Sequence, residues 1–315
     1  MKRLSMDEMN ISMGNCNVCP RRCMVNRSNG AVGVCRQSTT LRIGRAALHP
    51  WEEPCISGKN GSGTVFFCGC NLGCIFCQNE EISHGTAGVE IEPQRLVEIF
   101  FELKEQGAHN INLVTPTHYT PILAEVLKSA KNDGLDIPVV YNTSGYESVE
   151  TLALLEGLVD IYLPDFKYMD AKKALQYSNA EDYPEIAEKA LAEMVRQTGP
   201  VELDADTGLM KKGVLVRHLL LPLGVGNGKA VLNYLKTTYG NDIYVSIMNQ
   251  YTPPKSLLPH AELNRSVTKR EYETLVQYAI DLGMDNVFIQ EGKTAKESFI
   301  PSFRGEGCLS ETAAD

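Results

Sequence analysis

The stretch GTVFFCGCNLGCIFCQN, residues 63–79, runs from an apolar β-type segment straight into four cysteines at positions 68, 70, 74 and 77. Barrel enzymes place their chemistry at the C-terminal ends of strands, ahead of the following helix, so the location fits an active site. The spacing Cys70-x3-Cys74-x2-Cys77 lets one short loop curl around three corners of an iron–sulfur cube. Gly69 and Gly73 supply the backbone freedom for that wrapping, and Phe76 shields such a centre from water. Three thiolates leave one iron without a protein ligand, the kind of open position a catalytic metal keeps for its substrate. The competing reading is a four-cysteine zinc knuckle that recruits Cys68. Its one-residue gap to Cys70 is shorter than the usual zinc ligand pair allows, so Cys68 reads as a small hydrophobe of the strand.

Beyond this loop the chain alternates. Leu96, Ile99, Phe100 and Leu103 recur at helical spacing, as do Ile122, Leu123, Val126, Leu127 and Ala130, and late in the chain Tyr272, Leu275, Val276, Ala279 and Ile280. Between and after these stand apolar runs that read as strands: NINLVT (110–115), IPVVYNT (137–143), DIYLPDF (160–166), VLVRHLLLP (214–222), DIYVSIMNQ (242–250) and VFIQ (287–290). Near-continuous apolar strands separated by helices predict a parallel sheet covered on its outer face. The expected class is α/β, a full or partial parallel β/α barrel, with a doubly wound sheet as the alternative. The Gly/Ser segment SGKNGSG (57–63) divides a cysteine-rich, metal-binding N-terminal extension, residues 1–58, from the barrel core, residues 59–315.

The 315 residues are 43% hydrophobic and 22% charged, with a net charge of −9. That balance suits a globular protein with a sizeable core and sets it against nucleic acid or anionic membrane as a main partner. The first residues lack a signal-type apolar core, and no apolar run has the length of a membrane span. A cytoplasmic protein is expected, and there ten cysteines serve metals more readily than disulfides.

Four of those cysteines form a second group, Cys16-x2-Cys19-x3-Cys23-x11-Cys35, the spacing of a four-thiolate metal site. Cys19-Pro20-Arg21-Arg22-Cys23 and Gly33-Val34-Cys35 supply tight turns and positive charge. Zinc would make the group a structural knuckle, and a 4Fe–4S cluster would make it an electron relay. Cys55 and Cys308 have no partners in sequence and receive no role.

CNLGCIFC resembles the signature of the radical S-adenosylmethionine (SAM) superfamily. The chain from about 15 to 305 is similar to pyruvate formate-lyase activating enzyme, within a branch that carries an N-terminal Cys-x2-Cys-Pro element. The resemblance implies a 4Fe–4S cluster on Cys70, Cys74 and Cys77 whose open iron holds SAM. One electron then releases a 5′-deoxyadenosyl radical. It further implies a low-potential donor such as flavodoxin or ferredoxin, and a glycyl radical enzyme as protein substrate.

The same resemblance marks SAM-pocket candidates at successive strand ends. Activating enzymes carry a Ser-Gly-Gly-Glu type motif for the SAM amino group where this chain has Thr115-Pro116-Thr117-His118, a departure that leaves the two hydroxyls to receive the ammonium, unless the threonines only cap a helix. Asn142 and Ser144 stand where relatives contact ribose and carboxylate, Asp165 and Lys167 match an Asp-x-Lys element, and Arg217 matches an arginine set against SAM. A turn, a surface ion pair and a buried structural arginine are the respective bland readings. His218 reads as a core histidine and Gln250 as pocket-facing. Two other functions stay open: the same radical chemistry on a different peptide, metabolite or nucleotide, and a non-catalytic zinc-binding interaction protein.

Overall fold

The computed structural model describes residue 6 and residues 11–84, 87–254, 256, 258–290 and 303–310. The outer limits expected for the two regions, residues 1 and 315, lie outside these. Ten strands are defined: β1 (Leu41–His49), β2 (Ser62–Phe67), β3 (Val89–Ile91), β4 (Ile111–Val114), β5 (Val139–Thr143), β6 (Ile161–Pro164), β7 (Glu202–Leu203), β8 (Met210–Leu219), β9 (Tyr244–Met248) and β10 (Val287–Ile289).

The strands form one sheet in the order β10-β9-β8-β6-β5-β4-β2-β1-β3, with β7 hairpinned onto β8. From β2 to β10 every neighbouring pair is parallel. Among the described residues the edges β10 and β3 are not joined, and the fold is a partial β/α barrel. β1 lies antiparallel on β2, and β3 antiparallel on β1. The expected boundary at 58/59 thus falls between two paired strands of the same sheet.

Side-chain alternation fixes the two faces. Val139, Tyr141, Tyr162, Val214, Val216, Val245 and Ile247 join the main core beneath the helices, including Leu96, Phe100, Leu123 and Leu127. Their alternates Val140, Ile161, Leu163 and Leu215 form a separate cluster with Cys55 and Ile56. A short segment ahead of β2, ending in the helix Pro54–Ser57, therefore packs against the inner face. The last helix, Lys269–Asp281, buries Tyr272, Leu275 and Ala279 as expected, but Ile280 is exposed. That helix packs beside Val225–Tyr239 at the sheet's end and is covered on one side, which narrows its buried stripe. Among the described residues no helix is long and apolar enough to cross a membrane.

Candidate active site at the strand ends

The cysteine loop leaves β2 at Cys68, whose amide donates to the Arg42 carbonyl while that of Gly69 donates to Ile82. Cys68 is fully buried against Phe66, Ile82, Val114 and Phe303, and its thiol faces the Ala87 carbonyl at 3.2 Å. It is occupied as a core residue. Cys55 and Cys308 are likewise packed in apolar surroundings. The chain then turns through Gly69 (φ 84°) and Gly73 (φ 67°), left-handed conformations that glycine adopts without a steric penalty.

Cys70, Cys74 and Cys77 lie close enough to repel one another's charge. Burial pushes all three thiols up, Cys77 to about 12, while Lys167 favours ionisation at Cys70 and Cys74. Hydrogen bonds already point at the sulfurs: the Leu72 amide lies 3.4 Å from Cys70 Sγ and the Ser178 hydroxyl 3.1 Å from Cys74 Sγ. Phe76 is buried, edge-on to Tyr177 and Tyr251, and closes the outer side of the loop.

Across the mouth, the ends of β5, β6 and β8 bring together a charged network. Arg217 faces Asp165 at 3.3 Å and Glu52 at 3.1 Å, and its Nη2 donates to Asn142 Oδ1 at 2.5 Å. Lys167 bonds the other Asp165 oxygen at 2.5 Å. Burial opposes the Asp165 charge, but Lys167 and Arg217 outweigh it and hold the carboxyl below its usual range. Glu52 also accepts from Asn112 at 3.0 Å. Tyr183 ties the strand ends together, with its hydroxyl within hydrogen-bond distance of the Ser144 and Asp165 carbonyls and accepting from the Lys167 amide. Glu52 and Tyr183 were not among the sequence candidates: a glutamate ahead of a proline and a tyrosine at a helix start carry no local signal of this convergence.

The loop after β4 divides its three candidates. Thr115 is half-exposed and holds φ 59°, a conformation a β-branched residue adopts only under constraint. Thr117, whose hydroxyl was expected to receive a SAM ammonium, and the neighbouring pocket candidate His118 are turned inward, where buried polar groups require partners. The Thr117 hydroxyl donates to Glu147 at 2.5 Å, and His118 Nε2 donates to the Cys68 carbonyl at 2.8 Å. Burial, with Arg27 nearby, pushes His118 down to about 3, so its ring is neutral and braces the start of the cysteine loop. His218 is similarly a core residue, bonded to the Phe166 carbonyl at 2.7 Å. Gln250 receives Gln78 on its carbonyl, at the far end of the cysteine loop.

The N-terminal cysteines stand against this same loop. Cys16, Cys19 and Cys35 are buried and Cys23 is half-buried. Arg27, fully buried, bonds the carbonyls of Gln37, Ser38 and His118 and reaches Cys16 Sγ at 3.9 Å. Arg21 crosses to the Cys70–Cys77 loop, donating to the Asn71 carbonyl at 2.8 Å and that of Leu72 at 3.0 Å.

The donor chemistry fits the cofactors that the resemblance implies. Three neighbouring thiols, Cys74 buried and Cys70 and Cys77 half-buried, suit a cluster in which each thiolate binds a different iron. Among the described residues no three His, Cys, Asp or Glu side chains gather for a single metal ion. Ser144 Oγ is buried without a hydrogen-bond partner, capacity that suits a polar ligand such as SAM.

Residues 64–207 match the family model described as the radical SAM superfamily. An uncharacterized protein of Methanocaldococcus jannaschii, MJ0674, is 29% identical over 282 residues, covering 87% of this chain and 77% of its own. Among solved structures, HydG, a maturase of the [FeFe]-hydrogenase, superposes over 75% of this chain and 53% of its own, with 14% identity and a TM-score of 0.50. SuiB of Streptococcus suis, bound to S-adenosylmethionine, covers 71% of this chain and 49% of its own at 13% identity and a TM-score of 0.48. The chain spans about half the length of these two solved proteins. The family match begins within β2 and takes in the whole Cys70–Cys77 loop together with the ends of β4, β5 and β6, so over these residues the chain is similar to the radical SAM superfamily.

Proposed function

We infer that the enzyme splits SAM reductively and uses the resulting radical to take hydrogen from a glycine of a partner protein, activating a glycyl radical enzyme. Cys70, Cys74 and Cys77 would hold a 4Fe–4S cluster, which when reduced would supply the one electron needed to split SAM into methionine and a 5′-deoxyadenosyl radical. That radical takes a hydrogen atom, leaving 5′-deoxyadenosine and a carbon radical on the substrate. The chain's own residues bind and exclude: Arg217 and Lys167 offer cationic donors, Asn142, Ser144 and half-exposed Thr115 offer short polar ones, and Phe76 keeps water from the loop.

The observation that carries this reading is the three-thiol loop at the mouth of a barrel whose sheet edges stay unjoined among the described residues, which suits the lateral entry of a peptide loop. The inward commitment of Thr117 and His118 favours a second reading, the same chemistry on another peptide, metabolite or nucleotide, because the activase amino-group motif is not reproduced there. A reducing cytoplasmic setting suits ten free thiols. Anaerobic reconstitution with iron, sulfide, SAM and reductant is expected to yield 5′-deoxyadenosine, and Cys74→Ala to yield none. Product formation without a glycyl radical signal on any candidate partner enzyme would favour the second reading.

A further inference from the structure

Four thiols that this chemistry does not use stand beside it. The Arg27 guanidinium lies 3.9 Å from Cys16 Sγ, and the Val34 amide points at Cys23 Sγ at 3.3 Å. Two contacts fix the group to the catalytic loop. Gly69, directly before Cys70, sits so close to the Cys35 carbonyl that a Cβ there would stand 2.4 Å from it. Arg21, between Cys19 and Cys23, holds the carbonyls of Asn71 and Leu72, two of the three residues that separate Cys70 from Cys74.

The outward side of the group is equally distinctive. Met24, Val32 and Val34 are 54%, 53% and 51% exposed, and all three flank Cys23 or Gly33, which packs on the Cys23 sulfur. Residues 11–40 carry four arginines and no Asp, Glu, Lys or His, on a chain of net charge −9. A structural zinc knuckle requires neither contact with the Cys70 loop nor an apolar, arginine-flanked face.

We propose that Cys16, Cys19, Cys23 and Cys35 hold a second iron–sulfur cluster, and that the surface around Cys23 receives an acidic one-electron donor protein. This site is then the port through which electrons reach the barrel. The donor is oxidised by one electron and the chain reduced by one; no bond forms or breaks and no proton has to move. The proposal rests on the radical SAM reading.

The test is metal content and reduction kinetics of the full chain, reconstituted anaerobically. About eight irons per chain are expected, falling to about four in Cys19→Ser/Cys23→Ser and to about four, with a different reduced-cluster EPR spectrum, in Cys70→Ser/Cys74→Ser. About four irons and one zinc in the wild type would overturn the proposal and leave the radical SAM reading intact; an iron-free wild type would overturn both. Arg22 and Arg36 are exposed, and the Arg36 guanidinium makes one 3.3 Å bond, to the His84 carbonyl, so reversing them tests the port at little cost in packing. Arg22→Glu/Arg36→Glu is expected to slow reduction by an acidic flavodoxin-type donor about tenfold at low salt, while photoreduction by a deazaflavin is unchanged. Equal donor rates in variant and wild type would overturn the port.

Discussion

Arg21 shows how much a single side chain can join. Its guanidinium bonds the Asn71, Leu72 and Ser178 carbonyls at 2.8, 3.0 and 2.9 Å, also engages Asn179, and lies over the Tyr146 ring. Arg21→Gln is expected to cost roughly 2 kcal/mol in denaturant unfolding. Arg21→Lys should recover less than half, since an ammonium lacks the planar fork these carbonyls require. Glu147 offers a test at another buried site, bonded to Thr117 and Thr143. Burial raises its carboxyl from the usual 4.5 to about 7. As pH climbs from about 4.5 to about 7 the unfolded chain releases this proton first, so stability falls across that window by up to about 3 kcal/mol and levels off above it. Glu147→Gln should flatten that slope; an unchanged slope of denaturation midpoint against pH would exclude Glu147 as its source. Neither residue announced itself in sequence. The charge of CPRRC was legible, but its target lies some 50 residues away, and Glu147 belongs to an ordinary loop.

At the scale of elements, the parallel strands were legible because strands buried on both faces are nearly all apolar. LRIGRAALH was not, since β1 mixes arginines and glycine with its apolar residues and reads as neither pattern. The strand-end positions of Asn142, Asp165, Lys167 and Arg217 followed from the β/α order, whereas their partner Glu52 comes from a segment before the barrel that only the folded chain brings inside. That segment is held at one end by Glu52 in the polar network and at the other by Ile56, fully buried in the inner cluster. Glu52→Ala should cost about 3 kcal/mol, because it strips Arg217 and Asn112 of a buried acceptor. Glu52→Gln, which keeps the acceptor for Asn112, should cost about 1 kcal/mol. Comparable losses in urea unfolding would show that the charge, rather than the hydrogen bond to Asn112, carries the stabilisation.

For the whole molecule, the question is whether the cysteine-rich segment 11–40 folds as an appendage or as part of the barrel. Its contacts favour the second. The Thr151 hydroxyl bonds the Val18 carbonyl at 2.6 Å, Tyr119 bonds Gln37 and the Thr40 carbonyl, and Arg27 reaches across to His118. Arg27 is the deepest of these ties, 1% exposed and bonded to three carbonyls, so Arg27→Ala leaves three buried acceptors unsatisfied. A penalty of about 1–3 kcal/mol for each such group, softened by relaxation, puts the expected loss at roughly 4 kcal/mol. Where that loss falls distinguishes the two architectures. In the wild type, amides of residues 11–40 that are hydrogen-bonded, such as those of Cys16 and Met24, should exchange with hydrogen as slowly as those of β5 and β6, because they open only with the barrel. In Arg27→Ala they should exchange by local opening while β5 and β6 keep much of their protection. Protection in residues 11–40 that is already low in the wild type would mean an appendage, and the two cysteine loops would then lack the fixed relative position that Arg21, Gly69 and Arg27 together impose.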